Sequence, residues 1–321
     1  MKRPIRCTSL LLLAASLPLC ASAALIDISD VELVASTVTI TQGLPAEVDF
    51  DVKTVPQSSL VQAEALSLAA GIPFPNLPNS QNQAFASSAV DTGGIFGVGV
   101  KGFFFRNSLP PITFEASGAF LQSITNNSTV TVQVVVDFFI PIPTIQLFGV
   151  GNFFPPGADP DLDVQARLSV KMRTTVTHPD GSFVENLALD YGLTLVREPV
   201  TGVLLPIPSR DATGSVSAFE EPDGSFGFQL TSLQLDDFAL GEIGPGNVMR
   251  FSYDFTASAS TGFGETGVFA AIGDPFDLSA SGVRFDLQVG AVSAPVPEPA
   301  TYALFAAALL MVGLRLRAGR R

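Results

Sequence analysis

Val164-Gln165-Ala166-Arg167-Leu168-Ser169-Val170-Lys171-Met172-Arg173-Thr174-Thr175-Val176-Thr177 decides how the chain folds. Val164, Ala166, Leu168, Val170, Met172 and Val176 fall on one parity, and Gln165, Arg167, Ser169, Lys171, Arg173 and Thr175 on the other. Successive side chains of a strand point to opposite faces, so this period of two predicts an antiparallel strand with one face buried and one in water. His178-Pro179-Asp180-Gly181 follows as a type I turn with proline at its second position, and Leu187, Leu189, Tyr191, Leu193 and Leu195 then form the next apolar set. A hairpin is predicted. Both apolar sets share one side only if facing residue numbers sum to an odd value, and a short loop predicts Val170 opposite Leu189 and Met172 opposite Leu187. A slip of one residue would bury Lys171 and Arg173.

The same period recurs in Val130, Val132, Val134 and Val136; in Phe226, Phe228 and Leu230; in Phe251, Tyr253 and Phe255; and in Val283, Phe285, Leu287 and Val289. Only residues 60–70 leave strand and helix both open, because alanines blur the alternation of Leu60, Gln62, Glu64, Leu66 and Leu68. Twenty-eight glycines and twenty-four prolines punctuate these runs, as turns do in a protein of many short strands. Pro-Asp-Gly-Ser-Phe occurs at 179–183 and again at 222–226, which predicts two hairpins with one turn chemistry. The fold expected for residues 24–294 is an all-β, antiparallel, multi-stranded β-sandwich of jelly-roll-like kind. It is expected to be one unit, the alternative being a division near Phe154-Pro155-Pro156-Gly157.

Charge and residue usage remove several kinds of function. Between residues 24 and 299 stand ten basic and thirty acidic residues, a formal charge of −20, which repels nucleic-acid phosphates. No nucleic-acid partner is expected. Both cysteines lie in the first twenty residues, there is one histidine and no tryptophan, so disulfides, thiol catalysis and sites needing two imidazoles are excluded from residues 24–294.

The two ends read as addresses. Residues 1–23 run from Lys2, Arg3 and Arg6 through an apolar stretch to Ala21-Ser22-Ala23, the pattern of a secretory signal helix removed by signal peptidase after export. Leu19 stands where a lipoprotein signal would place a small residue before Cys20. At the other end, Pro295-Val296-Pro297-Glu298-Pro299 precludes regular structure and forms an extended spacer. Residues 300–314 then form an apolar block that reaches about 22 Å as a helix, short of a ~30 Å hydrocarbon core unless the following arginines snorkel. Arg315, Arg317, Arg320 and Arg321 close the chain and should remain cytoplasmic, leaving residues 24–294 across the membrane.

Residues 295–321 resemble the PEP-CTERM sorting segment of Gram-negative bacteria: the motif Pro297, Glu298, Pro299, an aromatic-containing apolar transmembrane helix beginning near Tyr302, and a terminal arginine cluster. The resemblance implies recognition by an exosortase, a transient inner-membrane anchor, delivery to the cell surface or extracellular matrix, and association with exopolysaccharide or biofilm. It implies nothing about the activity of residues 24–294, since such segments are attached to many unrelated bodies.

Within the body, no arrangement points to catalysis. His178, Asp180 and Ser182 crowd one turn tip, from which side chains diverge, so a triad is not expected. Asp159, Asp161 and Asp163 place carboxylates at alternate positions, a pattern able to ligate calcium, although Val164 and Val170 stand where an EF-hand needs glycine and glutamate. Glu220-Glu221 with Asp223, and Asp236-Asp237, read as solvated strand ends. Phe103-Phe104-Phe105, Phe138-Phe139 and Phe153-Phe154 cannot all face one side of a strand, so some meet a second layer or form an exposed patch. Asn126-Asn127-Ser128-Thr129 reads as a polar turn. The expected role is a non-catalytic structural or adhesive surface protein, the alternatives being a carbohydrate-binding module or polysaccharide hydrolase, and a calcium-stabilised adhesin.

Overall fold

The computed structural model describes residues 26–41, 45–56, 59, 61–70, 83–103, 112–148, 164–198, 200–201, 203–222, 225–261, 267–273 and 284–291. In chain order the strands are β1 (Ile26–Ile28), β2 (Val31–Thr41), β3 (Glu47–Val55), β4 (Gln62–Ala70), β5 (Gln83–Asp91), β6 (Phe96–Phe103), β7 (Ile112–Asn126), β8 (Val132–Ile140) and β9 (Thr144–Phe148). They continue as β10 (Val164–Thr177), β11 (Phe183–Arg197), β12 (Leu204–Pro208), β13 (Val216–Glu220), β14 (Phe226–Leu230), β15 (Leu233–Ile243), β16 (Val248–Thr261), β17 (Gly267–Ile272) and β18 (Arg284–Ala291). The described residues are therefore nearly all β, apart from one 3-10 turn at Arg210–Ala212. Among them no helix is long and apolar enough to cross a membrane.

The 164–197 hairpin forms as an antiparallel pair, with a different register from the predicted one. His178 N donates to Ser182 O at 2.8 Å, Gly181 takes φ +84°, and Thr177 sits opposite Phe183. Glycine carries that left-handed conformation without a Cβ penalty. The pairing 177 with 183 has an even sum, which alone would turn the apolar residues of β11 outward. An irregularity between Met172 and Arg173 skips Ala188 and restores the odd sum, so Met172 meets Leu189 and Val170 meets Tyr191. The partners are thus two residues from those predicted, and the faces are as predicted on β10 and from Leu189 onward on β11: Ala166, Leu168, Val170 and Met172 are buried and Arg167 is exposed. Leu187, predicted to face inward, stands instead opposite outward Arg173, because the irregularity turns Ala188 onto the core in its place. The second Pro-Asp-Gly-Ser-Phe string joins β13 and β14 with the same closure, Glu221 N donating to Ser225 O at 2.8 Å.

Residues 62–70 are a strand, resolving the ambiguity left by the sequence. The small residues Ala63, Ala65 and Ser67 face inward, whereas Leu66 is 46% exposed. Val130 is not part of β8; it lies in the preceding turn, and burial begins with Val132, Val134 and Val136.

The first large sheet has the order β12-β11-β10-β16-β7-β2-β3, with β1 also paired to β7; the second has β13-β14-β9-β17-β6-β5-β4; a small sheet has β15-β8-β18. Every recorded pairing is antiparallel. The chain passes between the large sheets from β3 to β4, β6 to β7, β9 to β10, β12 to β13 and β16 to β17. Consecutive strands such as β3 and β4, or β16 and β17, also approach one another across the layers. Strands from both sides of residues 149–163 share both large sheets, so the two halves of the sequence build one core.

Aromatic rings join the layers. Phe96 of β6 stacks on Phe255 of β16 with centroids 4.4 Å apart, Tyr253 lies 5.3 Å from Phe120 of β7, and Phe138 of β8 lies 5.4 Å from Tyr253. Such pairs contribute roughly 0.5–1.5 kcal/mol each beyond the area they bury. Of the consecutive phenylalanines, Phe138 is core and Phe139 sits half-buried on the opposite face. The side chains of Phe103–Phe105 and of Phe153 and Phe154 fall outside the described residues. Gly118 of β7 makes the ring packing possible, since a Cβ there would lie 2.3 Å from the Phe255 ring.

Candidate functional site

The outward face of the first large sheet carries charged and hydroxyl side chains across its central strands. β10 and β16 place Arg167, Lys171, Arg173 and Arg250 on it, four cations of a body that has ten. They do not make a bare cationic patch. Lys171 stands opposite Asp190 on β11 and opposite Asp254 on β16, Arg173 pairs with Asp254, and Arg250 approaches Glu32 at 3.8 Å. Cross-strand pairs of opposite sign contribute about 0.2–1 kcal/mol each, so these charges serve the sheet itself. Partial burial pushes the Asp254 carboxyl upward, and the nearby positive charges of Arg173 and Lys171 oppose that shift.

Between the charges runs a row of hydroxyls. Ser169, Thr256, Ser117 and Ser36 succeed one another across β10, β16, β7 and β2, and Ser36 Oγ lies 2.8 Å from Ser117 Oγ. Strands lie about 4.8 Å apart, so the hydroxyls follow that repeat, Ser169 buried and Thr256, Ser117 and Ser36 half-buried. At either margin the surface turns apolar: Val48, Phe50 and Val52 of β3 are 59%, 70% and 51% exposed, and Leu205 and Ile207 of β12 are 41% and 50% exposed. The face can hydrogen-bond a hydroxylated surface; of its carboxylates, Asp190, Asp254 and Glu32 lie beside the cations just named, whereas Glu115 and Glu185 stand opposite uncharged residues.

Beneath β3 the two large sheets are sealed by side chains instead of a backbone ladder. Asp49 Oδ2 accepts the Leu66 N–H of β4 at 2.9 Å, Asp51 Oδ2 accepts the Glu64 N–H at 3.3 Å, and Lys53 Nζ donates to the Gln62 carbonyl. Lys53 also pairs with Asp51 at 2.8 Å. The spacing of two residues on β3 matches the spacing of outward backbone groups on β4. Hydrogen bonding to Lys53 is the main cause holding the Asp51 carboxyl below its ordinary range.

Sequence-predicted positions divide into those the structure describes and those it does not. Ser182 Oγ donates to Asp180 Oδ1 at 2.6 Å and Ser182 N to the same oxygen at 2.9 Å, which closes the turn and lowers the Asp180 pKa. The three residues of that turn are thus engaged with one another as turn chemistry. Glu220 and Glu221 are exposed at the end of β13. Asp236 and Asp237 lie at an irregularity of β15 where Asp237 takes φ +51° and donates its N–H to Asp137 Oδ1 at 2.7 Å. Asp159, Asp161 and Asp163, the motif Pro297, Glu298, Pro299, and Arg315, Arg317, Arg320 and Arg321 lie outside the described residues. Among the described residues no group of three or more His, Cys, Asp or Glu side chains is arranged to hold a metal ion.

Asn126 is a position whose importance the sequence concealed. Its side chain is buried, and its amide donates to Val130 O and Ile243 O, both at 2.8 Å, while its oxygen accepts Ser128 N at 3.0 Å and Ser128 Oγ at 2.6 Å. The polar turn predicted at 126–129 is therefore held by three bonds from Asn126, the last residue of β7, and a fourth bond fastens it to the end of β15. No signal in the sequence separated Asn126 from Asn127.

The fold defines the chain as an all-β protein of antiparallel sheets. Comparison with protein-family models finds no match, and none of the characterised proteins compared with it matches the chain.

Proposed function

We propose that the chain is an exported surface or extracellular-matrix protein, sorted by an exosortase and acting as a non-catalytic structural or adhesive component linked to exopolysaccharide. The observation that carries this is the ordered co-occurrence, in one chain, of an export signal at residues 1–23 and of Pro297-Glu298-Pro299, an apolar block and Arg315, Arg317, Arg320 and Arg321 at the other end. The body suits such a role: an all-β structure of antiparallel sheets, read here as a sandwich of jelly-roll-like kind, whose outward face carries hydroxyls. In this reading the signal helix is removed on export, and residues 300–314 hold the chain in the inner membrane until processing.

The alternatives are separated by what they bind. A carbohydrate-binding module or hydrolase would be retained on polysaccharide from the native matrix, and a calcium-stabilised adhesin using Asp159, Asp161 and Asp163 would melt at a higher temperature in calcium, because a ligand of the native state alone raises stability. The deciding experiment is intact mass spectrometry on envelope and culture-supernatant fractions of an exosortase-bearing host. The expected species lacks residues 1–23 and the segment after about Pro299. A chain retaining Arg315, Arg317, Arg320 and Arg321 in every fraction overturns the sorting reading.

A further inference from the structure

We propose that β3 is a homotypic interface: two copies of this chain pair their β3 strands antiparallel about a two-fold axis through Asp51, so that the first large sheet continues from one copy into the next. This does not depend on where the chain is delivered. Among the described residues β3 ends the strand order of that sheet and is paired on one side only, to β2. An open edge of this kind is a template for another strand, and proteins blunt it with proline, bulges or lysines. The opposite edge, β12, carries Pro206 and Pro208. The adjacent edge of the second sheet, β4, has its outward backbone groups taken by Asp49, Asp51 and Lys53. β3 itself has nine residues, no proline, no glycine and an unbroken register with β2, and its one lysine, Lys53, is turned onto Asp51 and the Gln62 carbonyl.

The occupant follows from the strand's own pattern. Its outward face presents Val48, Phe50 and Val52, more than half exposed, beside Ile40 of β2 at 46%. Keeping these apolar residues on one face of a joint sheet requires the axis to pass through a residue and not between two. An axis through Asp51, the midpoint of Glu47–Val55, pairs all nine residues. Phe50 then meets Val52 of the second copy twice, Asp49 meets Lys53 of the second copy twice, and Val48 meets Thr54. The like-charged contact, Asp51 with its own counterpart, sits where each carboxylate already has Lys53 at 2.8 Å. An axis through Phe50 instead sets Asp49 against Asp51 twice, and one through Val52 leaves Glu47 and Val48 unpaired.

The test uses the full-length chain with Cys7→Ser and Cys20→Ser, so that the only thiol is one introduced on the exposed face. Directly opposite residues bring their Cβ atoms to about 4.5–5.5 Å, near disulfide reach, whereas diagonal ones stand about 7–8 Å apart. Under mild oxidation an equimolar mixture of Phe50→Cys and Val52→Cys chains is expected to give a disulfide-linked heterodimer, in excess over the homodimer of either alone. Sedimentation of the wild-type chain is expected to show a dimer that Phe50→Arg weakens at least tenfold. A chain wholly monomeric at about 100 μM, a dimer indifferent to Phe50→Arg, or cross-linking of single variants without the mixed product each overturns the proposal.

Discussion

Replacing Asn126 by alanine is expected to cost about 2–4 kcal/mol of folding stability, and the structure allows the sum to be followed bond by bond. The amide uses both N–H groups and both acceptor directions, so nothing in it is idle. After truncation Val130 O keeps the Ser128 hydroxyl at 3.0 Å, and Ser128 turns to water, which limits those losses to roughly 0.5–1.5 kcal/mol each. The bond to Ile243 O is buried, and removing a partner from a buried carbonyl costs about 1–3 kcal/mol. Asn126→Asp separates the donors from mere volume, since a carboxylate fills the same space but faces two carbonyl oxygens 2.8 Å away with nothing to donate. It should be less stable than the alanine variant at neutral pH and recover in acid, where the protonated carboxyl donates again. Urea unfolding at pH 7 and pH 4 measures both. A loss under about 0.5 kcal/mol for alanine, or an aspartate variant as stable as wild type at pH 7, would refute the claim that this amide holds the turn after β7 and fastens it to the end of β15.

Gly118→Ala is expected to destabilise by roughly 1–3 kcal/mol or more, because the new Cβ falls 2.3 Å from a Phe255 ring that is itself buried against Phe96; thermal unfolding checks it. Asp211 accepts the Asp190 N–H at 2.7 Å and the Arg210 guanidinium at 2.7 Å, and that guanidinium is the chief cause of its lowered pKa. Its contribution should be present above the unfolded carboxylate value near 3.9 and fade as pH falls through the lower folded value, so Asp211→Asn should cost under about 1 kcal/mol at pH 7 and nothing at pH 2. Joint replacement of Asp49 and Asp51 by alanine should uncap β4 and raise the aggregation rate, read by light scattering, with little change in the circular dichroism of the native state.

How much of this was legible beforehand depended on distance along the chain. Alternation set which residues of β10 and of β11 beyond Leu189 face inward, because that is a property of one strand, but it misplaced Leu187, which lies on the turn side of the irregularity. The register escaped because Gly181 and the skipped Ala188 each shift it, and no residue type announces that Ala188 will be left unpaired. Residues 60–70 were ambiguous because the inward positions, Ala63, Ala65 and Ser67, are small, and a small residue reads as inward only when an opposing layer leaves no room. The same limit hid Asn126, whose partner Ile243 is brought to it only by the pairing of β15 with β8. The β3 comb of Asp49, Asp51 and Lys53 carries no mark in the sequence, because its use depends on β4 lying beneath it.

The order of strands in the first large sheet also sets a schedule. β7 lies between β2 and β16, and β16 in turn separates it from β10. β2 precedes β7 by some seventy residues, but β16 comes more than a hundred residues after it, from Val248. Until that stretch is available, β7 and β10 each keep one row of backbone N–H and C=O groups unpaired. Pairings this far apart close slowly, and folds dominated by them take milliseconds to seconds. A chain released early, or cut before β16, would retain two interior strands as open edges, so its quality control must act on the last third of the sequence.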